Sequence, residues 1–371
     1  MTANPKIDVL LPAYNAAETM EDTLESIAQQ SFTDFRVISV DDGSSDATKD
    51  ILTQWAARDS RFTFVSLENG GIVKALNTAL SMATAPYVAR IDADDICDVQ
   101  RFEKQYQYLE AHPQAVAVGG IVEHIDETGA ILEGFYQPGD PNEADPNRIP
   151  AREPYIIHPF LMARTASLRK IGGYRHVPHS EDSDLFWRLR DLGKLYNPPD
   201  IVGQYRMHTN SISGGSVLNG RIMAVGSQLG AWAARQRIAG KKDPELNSDI
   251  IHTLRDAKTL DLMCKGLQPL IGAADMQHFR LAVGIKLLEL SAYRPYEIED
   301  SDIRFISAAV KSGKSLVLPE GNWGHINWHL STTGARLMQL SKPQDAFRLT
   351  PILSWPKMLA KSVLKKPFEH K

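Results

Sequence analysis

The sequence predicts an α/β domain on a mostly parallel central sheet, followed by a C-terminal helical region. Three observations carry that expectation. Short runs rich in Val and Ile alternate with amphipathic stretches over residues 6–125. Acidic or polar turns follow three of these runs. From about residue 216 the apolar spacing becomes helical throughout.

Taken in order, the runs at residues 6–12, 35–41, 62–67, 87–92 and 115–122 suit strands buried on both faces. Between the first two, AAETMEDTLESIAQQ sets Met20, Leu24, Ile27 and Ala28 on one helical face. Asn15 is expected to cap that helix, with Glu18 returning the bond. Asp46 likewise precedes Ile51, Leu52 and Trp55 at helical spacing. Ligands of such sheets bind beyond the carboxyl ends of the strands, which directs attention to Pro12–Asn15, Asp41–Ser44 and Asp92–Asp95. Residues 127–155, with five prolines, read as a loop that covers or edges the site. A helix is expected around SEDSDLFWRLRDLG, stopping at Gly193. GRIMAVGSQLGAWAARQRI, DIIHTLRDAKTLDLMCKGL and HFRLAVGIKLLELSAY follow with helical patterning, so the domain boundary is placed near Ser216, giving 1–215 and 216–371. Near the end, Ile352, Trp355, Leu359 and Val363 share helical spacing against Lys357, Lys361 and Lys365, with Lys366 and Lys371 beyond. That pattern suits an anionic membrane surface, or a terminal helix docked on its own domain with a solvated basic face.

Composition narrows the class. The 371 residues are 43% hydrophobic and 23% charged, as in a globular protein with a sizeable core. Lys plus Arg is 41 and Asp plus Glu is 45, a net charge of −4 that argues against nucleic acid as a partner. Cys97 and Cys264 cannot build a disulfide framework and fit a reducing compartment. The N-terminus lacks a secretion-signal pattern and no run of about 18 apolar residues occurs, so a cytoplasmic enzyme is expected.

Several short motifs could carry chemistry. Asp92-Ala93-Asp94-Asp95 follows a strand, and side-chain alternation would aim Asp92 and Asp94 at one ligand. Their hard oxygens suit Mg²⁺ or Mn²⁺ carrying a diphosphate, although alone the motif reads equally as a solvated turn. Asp41-Asp42-Gly43-Ser44 could offer a carboxylate to a base or ribose, or form a turn ahead of a helix cap. Glu181-Asp182-Ser183-Asp184 opens an apolar helix, where an Asp serves as a cap or takes a proton from an alcohol nucleophile. In Tyr205-Arg206-Met207-His208 the Arg and His could reach phosphate or metal, or be surface residues. No GxGxxG, GxSxG, HExxH or Cys/His cluster with zinc spacing occurs, and SGKS at 312–315 lacks the glycine of a phosphate loop, Ala308 standing there.

Together and in this order, LLPAYNAAETMEDTLESIAQQSFTDFRVISVDDGSSDAT, NGGIVKALNTAL, PYVARIDADD, HPFLMARTASLRKIGGY, SEDSDLFWRL and YRMHTNSIS resemble the family-2 inverting glycosyltransferases of the nucleotide-sugar GT-A fold, over about residues 6–213. The resemblance implies that Pro12, Ala13, Tyr14 and Asn15 hold the nucleotide, that Asp42 meets the uracil edge, and that Asn69, Gly71 and Lys74 line the nucleotide pocket. It implies further that Arg90 and Asp92 contact the donor and that Asp94 binds the metal, with His208 completing the metal or diphosphate shell. Asp182 matches the catalytic base, across the cleft from Asp94, with Glu181 on the acceptor side. The implied enzyme is a metal-dependent hexosyl- or N-acetylhexosaminyltransferase using Mn²⁺ or Mg²⁺. Its donor would be a UDP-sugar and its acceptor a glycan or lipid-linked hydroxyl in envelope or exported-polysaccharide synthesis, at the inner face of the membrane.

Two rival readings stand beside this one. A sugar-nucleotide pyrophosphorylase would carry a Gly-rich phosphate loop after the first strand, where this chain reads PAYNAAE. A non-catalytic nucleotide-sugar-binding relative would not need to keep both the DAD and the ED motifs.

Overall fold

A computed structural model describes residues 5–208, 215–246, 248–294, 296–317 and 321–364. The chain begins with β1 (Ile7–Ala13), α1 (Met20–Ala28), β2 (Phe35–Asp41), α2 (Thr48–Arg58), β3 (Phe62–Ser66), α3 (Ile72–Met82) and β4 (Tyr87–Arg90), the alternation that the apolar runs predict. It continues through β5 (Ile96–Cys97), α4 (Arg101–Ala111), β6 (Ala115–Val118), β7 (Ile121–Ile125) and β8 (Ile131–Tyr136). Then come β9 (Met162–Arg164), α5 (Thr165–Lys170), α6 (Glu181–Arg190), β10 (Lys194–Tyr196) and β11 (Ile201–Arg206).

The main sheet runs β10-β6-β9-β4-β1-β2-β3. Only β9 lies antiparallel to its neighbours, β4 and β6. Its central strand β1 is buried at every residue, because helices cover both faces. Leu24, Trp55 and Phe102 pack on one face, and Leu76, Leu80, Phe186 and Leu189 on the other. Asp8 interrupts the apolar run of β1; the Arg36 guanidinium on β2 meets it at 2.8 and 3.0 Å, and Ala85 N–H donates to it at 2.8 Å. A smaller sheet runs β5-β11-β7-β8.

The chain divides into two compact units. The first holds both sheets: residues up to Ala144, Pro154–Arg175 and Leu185–His208. The second contains Asp145–Glu153, His176–Asp184 and the chain from Thr209 onward. Its helices are α7 (Val217–Ile238), α8 (Ser248–Asp256), α9 (Leu260–Ile271), α10 (Ala273–Ser291), α11 (Asp300–Val317), α12 (Trp323–Gln339), α13 (Pro343–Leu349) and α14 (Trp355–Leu364). Ser216 caps α7, its hydroxyl accepting from Asn219 N–H at 3.2 Å. Helix α10 is the core of this unit: Leu281, Val283, Ile285, Leu287 and Leu288 are fully buried and face all sides. The buried Arg221 donates to Asp302 at 2.7 and 2.8 Å and to Glu299 at 2.7 Å, so its charge is matched inside the unit.

Three local expectations are corrected. Asn15 does not cap α1, which begins at Met20 after Thr19; its side chain is engaged by the β2–α2 loop instead. Residues 127–155 are not all loop, since β8 pairs antiparallel with β7 as an edge strand exposed along its length. DIIHTLRDAKTLDLMCKGL is helical as its spacing indicates, in two helices, the second starting where Thr259 accepts from Leu262 N–H at 3.4 Å. On α14, Trp355 does not join Ile352, Leu359 and Val363 in an exposed stripe. It packs on the core and donates to Thr350 C=O at 2.9 Å, with Met358 fully buried beside it. Lys365, Lys366 and Lys371 lie outside the described residues.

Candidate active site

Polar loops gather at the carboxyl ends of β1, β2 and β4, where a parallel sheet places its ligands. Pro12 and Ala13 end β1 inside the core, and Tyr14 emerges with 55% of its surface exposed. Asn15 adopts φ 49°, a left-handed conformation that asparagine tolerates. This bend lets its amide accept from Ser45 N–H at 2.8 Å while its own N–H donates to Ser44 Oγ at 2.9 Å. Ala16 N–H donates to Thr48 Oγ1 at 2.8 Å and Ala17 N–H to Asp46 Oδ2 at 3.0 Å. The loops after β1 and β2 are thereby joined.

Asp42 is buried, and its carboxylate accepts from Gly70 N–H at 2.9 Å and Gly71 N–H at 2.8 Å. Asn69 donates to the Asp42 carbonyl at 3.0 Å. Gly43 sits at φ 78°, and a Cβ there would stand 2.8 Å from Asn69 N, so this approach requires glycine. Asp42 therefore shapes the Asn69–Gly71 loop directly. Lys74 reaches back from α3 to the Glu68 carbonyl at 2.9 Å. The structure brings Asn15, Asp42, Asn69, Gly71 and Lys74 into two loop clusters, both anchored on the turn after β2.

The acidic motif is a turn. Strand β4 ends at Arg90, and Asp95 N–H folds back toward the Asp92 carbonyl at 3.4 Å. The alternation argument for Asp92 and Asp94 consequently does not apply, and a third carboxylate joins them. Asp92, Asp94 and Asp95 each present an oxygen within 4.8 Å of the others. Arg90 pairs with Asp92 at 2.6 Å. Asp95 is buried; its Oδ1 accepts from Arg206 N–H at 2.8 Å, while Oδ2 has no partner among the described residues. Burial, with Asp94 and Asp92 alongside, pushes the Asp95 carboxyl well above the usual carboxylate range. Partial burial raises Asp92 as well, against the opposing pull of Arg90. Clustered hard oxygens, one of them buried and unpartnered, fit a divalent cation of the Mg²⁺ or Mn²⁺ type.

His208 Nε2 lies 2.7 Å from Asp94 Oδ2, so the expected metal-shell pair does come together. Arg206 does not reach outward to a phosphate. Its guanidinium donates to the carbonyls of Asp94 at 2.8 Å, Glu127 at 3.2 Å and Asp126 at 3.3 Å, which holds the acidic turn in place. Arg101, fully buried on α4, supports the same turn by donating to the Arg90 carbonyl at 2.6 Å. Asp95 was readable as the last acid of DADD, whereas nothing in the sequence marks Arg101 as buried. Glu181 and Asp182 open α6, half-buried, and group with the second compact unit. The Asp182 carboxylate accepts from Ser183 N–H at 2.7 Å.

Similar proteins fit this arrangement. The putative glycosyltransferase EpsE of Bacillus subtilis is 34% identical over 216 residues, 56% of this chain and 74% of its own. The amylovoran biosynthesis glycosyltransferase AmsE of Erwinia amylovora is 34% identical over 210 residues, 55% of this chain and 77% of its own. Among solved structures, the mannosyltransferase PcManGT of Pyrobaculum calidifontis, in complex with GDP-Man and Mn²⁺, superposes with a TM-score of 0.50 at 17% identity, covering 98% of this chain and 89% of its own. S. aureus TarS 1–349 with UDP-GlcNAc also gives 0.50, at 15% identity, covering 95% and 92%. Both share the fold, that of GT-A glycosyltransferases. Residues 8–172 match the profile described as Glycosyl transferase family 2, and with the relatedness to EpsE and AmsE this places the chain in that family as a glycosyltransferase.

Proposed function

We propose that the protein transfers a sugar, with inversion, from a nucleoside-diphosphate sugar to a hydroxyl of a glycan or lipid-linked acceptor in envelope or exported-polysaccharide synthesis. The observation that carries this reading is the convergence of Asp92, Asp94 and Asp95 beyond β4, within a family-2 chain. The role of AmsE in amylovoran biosynthesis supports the acceptor class. GDP-Man and UDP-GlcNAc in proteins of the same fold support a nucleotide sugar, of which we favour the UDP-linked kind.

In this reading Pro12, Ala13, Tyr14 and Asn15 seat the nucleotide against the loop of Asn69, Gly71 and Lys74, with Asp42 at the base edge. Arg90 and Asp92 face the ribose and phosphate side; Asp94, Asp95 and His208 would hold the cation. The bound cation would stabilise charge on the departing diphosphate. Asp182 takes the proton of the acceptor hydroxyl as its oxygen bonds to the anomeric carbon and the bond to the diphosphate breaks, while Glu181 positions the acceptor. Release of free UDP or GDP from a panel of nucleotide sugars with Mn²⁺ tests the donor. Asp182→Asn should keep donor binding and lose roughly 10²–10⁴-fold in turnover. Undiminished turnover in that variant would remove Asp182 from the mechanism.

The acceptor reading includes an anionic membrane surface. Ile352, Leu353, Leu359 and Val363 are exposed on and just before α14, beside the exposed Lys357. No helix among the described residues is long and apolar enough to cross a membrane. Flotation with phosphatidylglycerol vesicles should carry the parent chain upward and leave a Leu353→Glu, Val363→Glu variant behind. Equal flotation of the two would exclude this surface. Deleting the whole helix is a poorer test, since Met358 belongs to the core.

A further inference from the structure

We propose that Glu289, His325 and His329 form a second metal site, selective for a borderline divalent ion of the Zn²⁺ class, within the helical unit. His325 and His329 are one turn apart on α12 and so project from the same face. Glu289 faces them from the end of α10. One ligand atom from each residue lies within 4.8 Å of those of the other two, and Glu289 Oε2 stands 4.0 Å from His325 Nε2. An ion held at ~2.0–2.1 Å from each donor sets the donors roughly 3.3 Å apart, so a small side-chain adjustment closes the set.

The surroundings prepare these groups as ligands. Lys286 donates to Glu289 Oε1 at 2.9 Å and pairs with Glu153 at 2.7 Å, leaving Oε2 turned toward His325. Burial would raise the Glu289 carboxyl, but Lys286 holds it below the usual range, so it stays ionised. Burial, with His325 beside it, lowers His329 to about 4; burial and Arg148 lower His325 too. Both rings are therefore neutral at pH 7 and offer lone pairs. His329 is buried, while His325 keeps 36% and Glu289 31% of their side-chain surface, which leaves an entry path. Two imidazoles and a carboxylate select for zinc over magnesium. Three protein ligands leave a fourth position for water. The third ligand is remote in sequence, on another helix, so the chain shows no continuous zinc spacing.

The test uses the full chain, stripped with EDTA and titrated with Co²⁺ and then Zn²⁺. The parent should develop the intense visible absorption of four- or five-coordinate Co²⁺, lose it to Zn²⁺, and keep it in excess Mg²⁺. His325→Ala and Glu289→Gln, each checked for folding by circular dichroism, should weaken Zn²⁺ binding by more than the roughly 10–100-fold that loss of a supporting partner costs. Asp94→Asn should leave the spectrum intact. Thermal melting should show a Zn²⁺-dependent rise in the parent and none in His325→Ala. Parental Zn²⁺ affinity in both His325→Ala and Glu289→Gln, or a parent with no Co²⁺ absorption of this kind, overturns the proposal.

Discussion

The acidic turn of the sheet unit and the ion pairs of the helical unit treat buried charge in opposite ways. In the helical unit, Arg221 is matched by Asp302 and Glu299, and Lys286 by Glu153 and Glu289. At the acidic turn, three carboxylates crowd together, the Arg90 guanidinium pairs with Asp92, and Asp95 keeps a buried oxygen without a partner among the described residues. Matched buried ions hold a fold together, and removing one member strands the other. Unmatched like charges destabilise the turn that carries them unless something else neutralises them, which is how binding sites differ from scaffolds.

The largest effect should come from the unmatched side. Asp94→Ala should remove Mn²⁺-dependent donor binding, read by calorimetry with and without the ion, and cut turnover roughly a thousandfold. Donor binding that ignores the substitution would erase the contrast between the units. On the matched side, Asp302→Ala should cost roughly 3–5 kcal/mol, read as a lower urea midpoint, because Arg221 stays buried without its carboxylate. A loss below about 1 kcal/mol would show that water reaches Arg221 and that the match matters little.

A smaller effect sharpens the same point through pH. Arg235 donates to His278 Nδ1 at 2.8 Å, so that nitrogen must be an acceptor and the ring neutral. Burial and Arg235 bring His278 down to about 4, against ~6.5 in an unfolded chain. Unfolding then takes up a proton below pH 6.5, and stability falls as pH drops from 6.5 toward 4, by no more than about 3 kcal/mol. Above pH 6.5 the group is neutral in both states and contributes no slope. His278→Gln should flatten that part of the curve in pH-resolved denaturation, and an unchanged curve would assign the slope to other groups.

What the sequence made legible follows from locality. The alternation of buried strands and helices is written in contiguous runs, so β1 to β4 and the first two helices could be placed from spacing. The acidic motif and the loops after β1 and β2 were found because a parallel sheet has only one productive end. The details that failed depend on partners far along the chain. Asn15 looks like a helix cap until Ser44 and Ser45 arrive from the β2–α2 loop. Arg206 looks like a phosphate ligand until the Asp94 carbonyl takes it. Trp355 fits a lipid-facing stripe until Phe347 and the Thr350 carbonyl claim it, 4.8 and 2.9 Å away. β8 was hidden because an exposed edge strand needs no apolar alternation.

The bonds that join the loops after β1 and β2 bear on how this scaffold could be re-engineered. Each loop supplies donors and acceptors that the other consumes: Asn15 with Ser44 and Ser45, Ala16 with Thr48, Ala17 with Asp46. A chimaera that imports only one of them inherits half of an interlocking pair. The two segments, separate in the gene, therefore behave as a single exchangeable cassette.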